Sequence, residues 1–198
     1  MEPETLTTAR LLLRTVRVED AREVHAACQD PGIQRWTMIP SPYLTDHAES
    51  FLAQQVPDGW RNGTMFTFGA FLREDDAPGG HTALAAMVGV TQRVMNTAEI
   101  GFWATREHRG RGYVTEAALA VARWAFTRAG IERLEWRAEV GNAASRAVAE
   151  KAGFTLEGVL RSATIHQGTR RDCWVGALLP SDLGLPTANA YLPAPDDR

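Results

Sequence analysis

Residues 98–117 read AEIGFWATREHRGRGYVTEA. The stretch passes from an alternating strand pattern, through a short polar loop and a glycine-rich turn, into a helix-forming run. A turn of this kind leaves the first backbone N–H groups of the helix unpaired, and the helix dipole adds positive potential there. Such a place binds phosphate. Gly110 and Gly112 permit positive φ and a close approach of ligand to backbone, while Arg106, Arg109 and Arg111 add charge that can meet phosphates. Taken alone, the segment fits equally well a plain loop into a helix, with its arginines in solvent. No Gly-Lys-Ser/Thr follows, so this is not a nucleotide P-loop, and no third glycine stands at the spacing of a dinucleotide fingerprint.

Working outward, the helix opened by the two glycines is expected to run to about residue 128. Ala117, Ala120, Val121, Trp124 and Ala125 form its apolar stripe, and Gly130 stands just past its end. Upstream lie three strands, at 65–72, 83–93 and 98–104. A polar break at 74–80 and a tight link at Met95 and Asn96 separate them, and such short links imply antiparallel pairing. Nearer the N-terminus, 6–14 reads as one half-buried edge strand with Leu11, Leu12 and Leu13. Residues 18–28 read as a helix with Ala21, Val24 and Cys28 on one face. Asp30, Pro31 and Gly32 read as a turn, 36–43 as an apolar, proline-rich loop, and 45–56 as a helix capped by Thr45. Downstream come a strand at 133–140, a short helix from Asn142 to Gly153, and a strand pair at 154–163 and 169–179 about a turn at Gln167 and Gly168. The order β-α-α-β-β-β-α-β-α-β-β predicts an α+β domain with one mixed sheet and helices on its faces. Residues 1–180 are expected to form a single domain and 181–198 a loosely ordered tail.

The 198 residues suffice for one domain with a full core. Hydrophobic residues at 44% and charged residues at 23% make an ordinary globular balance. A net charge of -3 without a long run of one sign gives no electrostatic footprint for nucleic acid or a membrane surface. Cys28 and Cys173 stand far apart, with no His partners at ligand spacing, so no metal site is expected and two buried thiols are. The N-terminus lacks the pattern of a signal peptide, and no apolar run reaches membrane-spanning length, so a cytoplasmic protein is expected.

At residues 109–112 the sequence resembles the GNAT acetyltransferases, whose pyrophosphate loop reads Arg/Gln-x-x-Gly-x-Gly/Ala; Val114 departs from it at the last position. Asn142 with Ser145, and the run from Glu150 through Lys151 and Gly153 to Phe154, match that family's next segment. Residues 154–161, 168–172 and 8–14 are similar to the Rim branch, the ribosomal-protein Nα-acetyltransferases. The resemblance covers about residues 6–180 and implies a GNAT fold, a mostly antiparallel sheet splayed around acetyl-CoA with helices on both faces. It implies that strands 98–104 and 133–140 part to admit pantetheine, pairing with backbone at Phe102, Trp103 and Ala104. Pyrophosphate would sit on Arg109, Gly110, Arg111, Gly112, Tyr113 and Val114, with Asn142 near the thiol end. Members of the family are often monomers or homodimers.

The implied reaction is direct attack of a neutral amine on the thioester. Glu99 is the first candidate base. On a strand it shares a face with Gly101 and Trp103, opposite Ile100 and Phe102, so it faces the acceptor if the latter pair is core. A glutamate on a solvated sheet face is the plainer alternative. Where a Rim-type enzyme is expected to carry its glutamate, Thr164 stands here; His166 lies two residues on as a possible substitute. Ala149 occupies the place of the usual proton-donating tyrosine, and Ser145 matches the Rim branch's serine, with N-terminal capping as its plain role. A backbone N–H near Trp103 or Ala104 is the simplest oxyanion donor. Trp36, Pro40, Pro42 and Tyr43 suit a lid over the acceptor, whereas Trp60 reads as core packing. Arg161 and Asp172 match polar family positions, as acceptor contacts or as a salt bridge with each other. Two acceptor classes stay open, a protein or peptide N-terminus and a small amine. The missing tyrosine and the displaced glutamate also keep open a reading of another class, a non-catalytic acyl-CoA sensor or interaction module.

Overall fold

The computed structural model describes residues 1–73 and 82–194, so the polar break read at 74–80 and the terminal aspartates lie outside the described residues. The N-terminal stretch is not one strand. It folds into a tight pair, β1 (Leu6–Thr7) and β2 (Leu11–Arg14), because the Thr8 hydroxyl accepts from Leu11 N–H at 3.0 Å and bends the chain at once. Leu11 and Leu13 are buried while Leu12 is half-buried.

Helix α1 (Ala21–Cys28) buries Val24 and Cys28 as the periodicity required. The expected turn at residue 30 is instead the start of α2 (Pro31–Trp36). Asp30 is its N-cap, accepting from Ile33 N–H at 3.0 Å, and Pro31 takes the first helical position, where its missing N–H costs nothing. The next helical run does not stop at residue 56. α3 (Thr45–Ser50) passes through a π-helical turn (Phe51–Gln55) into α4 (Val56–Asn62), which ends on left-handed Gly63. The wide turn lies directly before Pro57, whose ring is incompatible with an unbroken i→i−4 ladder.

Strands β3 (Met65–Leu72), β4 (Leu84–Gln92) and β5 (Thr97–Ala104) follow, then α5 (Tyr113–Thr127), β6 (Arg133–Glu139), α6 (Ala143–Lys151), β7 (Thr155–His166) and β8 (Thr169–Leu178). One eight-stranded sheet runs in the order β1-β2-β3-β4-β5-β6-β8-β7, and only β5 with β6 is parallel. Trp60 of α4 and Trp124 of α5 pack edge-on against Phe66 and Phe68 of β3, with ring centroids 5.0–5.2 Å apart, and lie tilted to each other at 5.5 Å. Trp60 is therefore core, as expected. Both cysteines are buried free thiols. Past β8, a short 3-10 turn (Pro180–Leu183) follows, and Asn189 is tied to the Glu132 carboxylate at 2.6 and 2.9 Å. No helix among the described residues is long and apolar enough to cross a membrane.

The register at the centre of the sheet positions everything that follows. β5 and β6 pair only from Thr97↔Arg133 to Ile100↔Trp136. Beyond that point β5 stays with β4 as far as Ala104↔Ala86, and β6 stays with β8 as far as Glu139↔Cys173. The two middle strands thus part, and each presents an unpaired backbone edge to the gap.

Candidate active site

The gap between β5 and β6 opens into a cavity of about 630 Å³. Its walls include Phe102, Trp103 and Ala104 from the free edge of β5, Arg109, Gly110, Gly112, Tyr113 and Val114 from the glycine-rich turn, and Asn142 and Ser145 from α6. Gly110 and Gly112 have φ of 74° and 80°, the left-handed region that the turn required of them. The chain enters α5 directly from Gly112, whose carbonyl accepts the first helical bond, from Glu116 N–H at 3.1 Å. The N–H groups ahead of it are left to a ligand.

Not every arginine of the turn faces this cavity. Arg109 lines it, but its guanidinium is ion-paired with Asp30 at the head of α2 and donates to Ala104 O at 3.3 Å. That hydrogen bond and charge hold the Asp30 carboxyl below its ordinary range. Arg111 is exposed, lies outside the cavity wall, and offers its carbonyl to Arg10 at 2.9 Å. Asn142 caps α6 as read, accepting from Ser145 N–H at 3.2 Å.

A second cavity, about 510 Å³, lies on one face of the sheet under α1, the 37–43 loop and the π-helical turn. Its floor follows from strand alternation and register. Met65 and Thr67 of β3, Met87, Gly89 and Thr91 of β4, and Glu99, Gly101 and Trp103 of β5 share that face. Ala98 and Ile100 point the other way into the core, which puts Glu99 in the cavity rather than on a solvated face. Its carboxylate is held by Arg93 at 3.2 Å, with Arg137 at 4.0 Å. Tyr43 also lines this cavity; burial pushes its phenol, and the thiol of neighbouring Cys28, up to about 12, so both stay neutral at physiological pH. The two cavities share Thr37, Met38, Gly101, Phe102 and Trp103, and so meet where the strands part.

Three expected positions fall elsewhere. Trp36 lines the first cavity and not the second, because α2 turns its indole toward Gly141 between β6 and α6, with the Arg35 guanidinium 4.0 Å above the ring. Arg161 is exposed on β7 and lines neither cavity. Its expected pair with Asp172 does not form: a bulge at Ser162, with φ of 58°, directs that residue's N–H to the Asp172 carboxylate at 2.9 Å. His166 also lines neither cavity and lies 3.4 Å from the backbone carbonyl of Gln34.

Among the wall residues that escaped the sequence reading are His108, Thr115, Trp136, Arg137 and Lys151. Lys151 had a signal, being part of the run from 150 to 154 that carries the resemblance. Trp136 had none, since its importance is a hydrogen bond from its indole N–H to Ser145 Oγ at 3.0 Å, across two elements. His108 has a buried Nδ1 with no partner among the described residues, and burial, aided by Arg111, lowers its pKa.

These observations fit coenzyme A. Open left-handed glycines at a helix N-terminus suit a pyrophosphate, an unpaired strand edge suits an amide-bearing arm, and a second cavity meets the first at the end of that edge. The arrangement is that of an acetyltransferase drawing its acyl group from acetyl-CoA. The GNAT acetyltransferase domain matches residues 10–155, and the chain belongs to that family. It is similar to the Bacillus subtilis (strain 168) protein named "Probable N-acetyltransferase YjcK", 33% identical over 176 residues that span 87% of this chain and 95% of that one. The ribosomal-protein-serine acetyltransferase of Escherichia coli (strain K12) is 36% identical over 67 residues, 34% of this chain and 37% of its own. In fold, the chain is similar to Mycobacterium smegmatis RimJ in complex with CoA-disulfide, with a TM-score of 0.77 at 22% identity, covering 93% of this chain and 92% of that one.

Proposed function

We propose that the protein transfers an acetyl group, or a similar acyl group, from acyl-CoA to a primary amine by direct attack while both substrates are bound. The observation that carries this reading is the shared wall at Gly101, Phe102 and Trp103, where the cavity beside Glu99 meets the cavity beside the glycine-rich turn. Bound acetyl-CoA supplies a thioester, an acyl group already activated toward amines. The turn from Arg109 to Val114 and the dipole of α5 hold its pyrophosphate. The free edge at 102–104 pairs with its arm, and Asn142 and Ser145 flank its thiol end.

The residues then manage protons. An α-amine titrates near ~8 and a lysine amine near ~10.4, so at pH 7 the α-amine is far more available as the neutral nucleophile. Glu99 takes the proton that the amine nitrogen sheds, directly or through one water. The Ser145 oxygen accepts from Trp136, and an indole N–H can only donate, so the serine's own O–H remains free to be given to the departing sulfur. A backbone N–H at Trp103 or Ala104 donates to the carbonyl oxygen as charge builds there. The acceptor is a protein or peptide N-terminus or a small amine. The name of the Escherichia coli relative favours the first, and among the described residues Glu99 is the one carboxylate in the acceptor cavity, which disfavours a polycation.

Thiol release from acetyl-CoA against a panel of N-terminal peptides, polyamines, amino acids and aminoglycosides tests the reading. Glu99→Gln is expected to lower kcat by about 10²–10⁴-fold while acetyl-CoA affinity is retained. Full activity of that variant between about pH 6 and pH 9 removes Glu99 from the reaction.

A further inference from the structure

Directly opposite each other on the floor of the acceptor cavity stand Gly89 of β4 and Gly101 of β5. Neither has a backbone conformation that demands glycine, and a Cβ built on either meets nothing within 4 Å. Glycine in a strand interior weakens the strand, and no packing reason offsets that here. A bare patch in mid-sheet is explained by something that enters and lies on it.

The surroundings say what enters. Met38, Ile39, Phe51, Met65, Met87 and Trp103 supply a predominantly apolar wall, three of them thioethers that adapt to irregular shapes. Tyr43 and Cys28 stay neutral, and among the described residues His47 is the one further titratable group in the lining besides Glu99. The single carboxylate is at the edge of this surface and already meets Arg93. One amine is provided for; a second cation is not.

We infer that the acceptor is a primary amine whose adjoining substituent is a large apolar or aromatic group, seated on Gly89 and Gly101 while the nitrogen stands near Glu99. This rests on the acetyltransfer reading above and narrows its acceptor. The same chemistry is offered by a peptide that begins with Leu, Met or Phe and by a small aralkyl amine.

The test measures kcat/KM with acetyl-CoA for matched peptides differing only in their first residue, Phe, Leu, Met, Ala, Ser or Glu, with phenethylamine and spermidine alongside. Large apolar first residues, or phenethylamine, are expected to exceed Ala, Ser and spermidine by at least about tenfold, the discrimination that an apolar pocket supplies. The more active arm, peptide or small amine, names the source. Gly89→Val, with Gly89→Ala as the milder replacement, is expected to lower the ratio of Phe-peptide to Ala-peptide kcat/KM about tenfold without changing acetyl-CoA affinity, since Gly89 lines only the acceptor cavity. Equal or better turnover of Ser, Ala or spermidine overturns the inference and leaves the acetyltransfer reading standing. A preference unchanged in both Gly89 variants overturns the placement on the floor. No turnover of any acceptor, in protein that binds acetyl-CoA, overturns both.

Discussion

At the scale of single residues, the site depends on side chains whose partners fix what they can do. Ser145 is the clearest case. Its oxygen accepts the Trp136 indole N–H at 3.0 Å, and Asn142 takes its backbone N–H, so capping and hydroxyl orientation are separate tasks of one residue. Trp136→Phe keeps an aromatic ring but removes the indole N–H, which frees the hydroxyl to rotate. A neutral hydrogen bond is worth about 0.5–1.5 kcal/mol, so kcat is expected to fall roughly two- to tenfold for every acceptor. An unaltered kcat in Trp136→Phe, measured alongside an impaired Ser145→Ala, removes Trp136 as a positioning residue. Glycines divide by the same kind of local test. Gly59 lets α4 press against β3, where an added Cβ would meet Met65 O at 2.5 Å, whereas Gly89 and Gly101 face open space. The sequence alone gives all three the same letter.

At the scale of elements, the N-terminal strands are bolted to the start of α5. Glu116 accepts from the Thr8 hydroxyl at 2.6 Å, from Arg10 N–H at 3.0 Å and from the Arg10 guanidinium, which also stacks 4.6 Å over Tyr113. Burial alone would raise the Glu116 pKa, but these hydrogen bonds and the Arg10 charge together bring it below its ordinary 4.5. The folded state therefore releases this proton more readily than the unfolded chain does. Its contribution to stability is complete above about pH 4.5 and is lost as pH falls through the lower, folded value. Asp20 (held by Arg14 and Arg17), Glu135 and Glu139 are shifted the same way and add to the acid sensitivity. Glu116→Gln is expected to lose about 1–3 kcal/mol at pH 7, seen as a lower Tm, and the gap from the parent is expected to close as the pH falls below the folded value. A gap that stays constant with pH means that the carboxylate's charge contributes nothing. Because the bolt ties residues 8–10 to the turn at 110–112, the same variant is expected to weaken acetyl-CoA binding.

For the whole molecule, the aromatic packing and the second cavity lie on opposite faces of the sheet. One face carries the aromatic cluster of Trp60, Phe66, Phe68 and Trp124 under α4 and α5. The other carries the second cavity, where Gly101 is exposed and Glu99 half-buried. Trp60→Ala is expected to cost about 3–5 kcal/mol in urea unfolding with little change in m, because the fully buried ring leaves a cavity that rigid strands cannot close. A cost near zero means that the face can collapse. Substitutions at Gly89 are expected to alter acceptor preference with little loss of stability, the reverse pattern.

The strands from residue 65 onward, the helix at residue 113, four of the five residues read as its stripe (Ala117, Val121, Trp124 and Ala125, with Ala120 only half-buried), the Asn142 cap and the positive φ of Gly110 and Gly112 were legible in the sequence. Periodicity, caps and turns are decided by residues a few positions apart, so a linear reading reaches them. Alternation put Glu99 on one face with Gly101 and Trp103, but whether that face looks into a cavity or into solvent stayed open until the structure buried Ile100 in the core. Other features were not legible. Asp30 read as a turn residue because a cap and a turn share their chemistry, and the direction of Trp36 followed only from the resulting helix. Arg109 spends its charge on a partner 79 positions away, Trp136 orients Ser145 across two elements, and Arg161 is carried off its expected pair by a bulge. The parting of β5 from β6 was expected from resemblance, but where it begins, after Ile100↔Trp136, belongs to the register of the assembled sheet. Those outcomes are set by packing between distant segments, where distance in space rather than along the chain decides which groups meet.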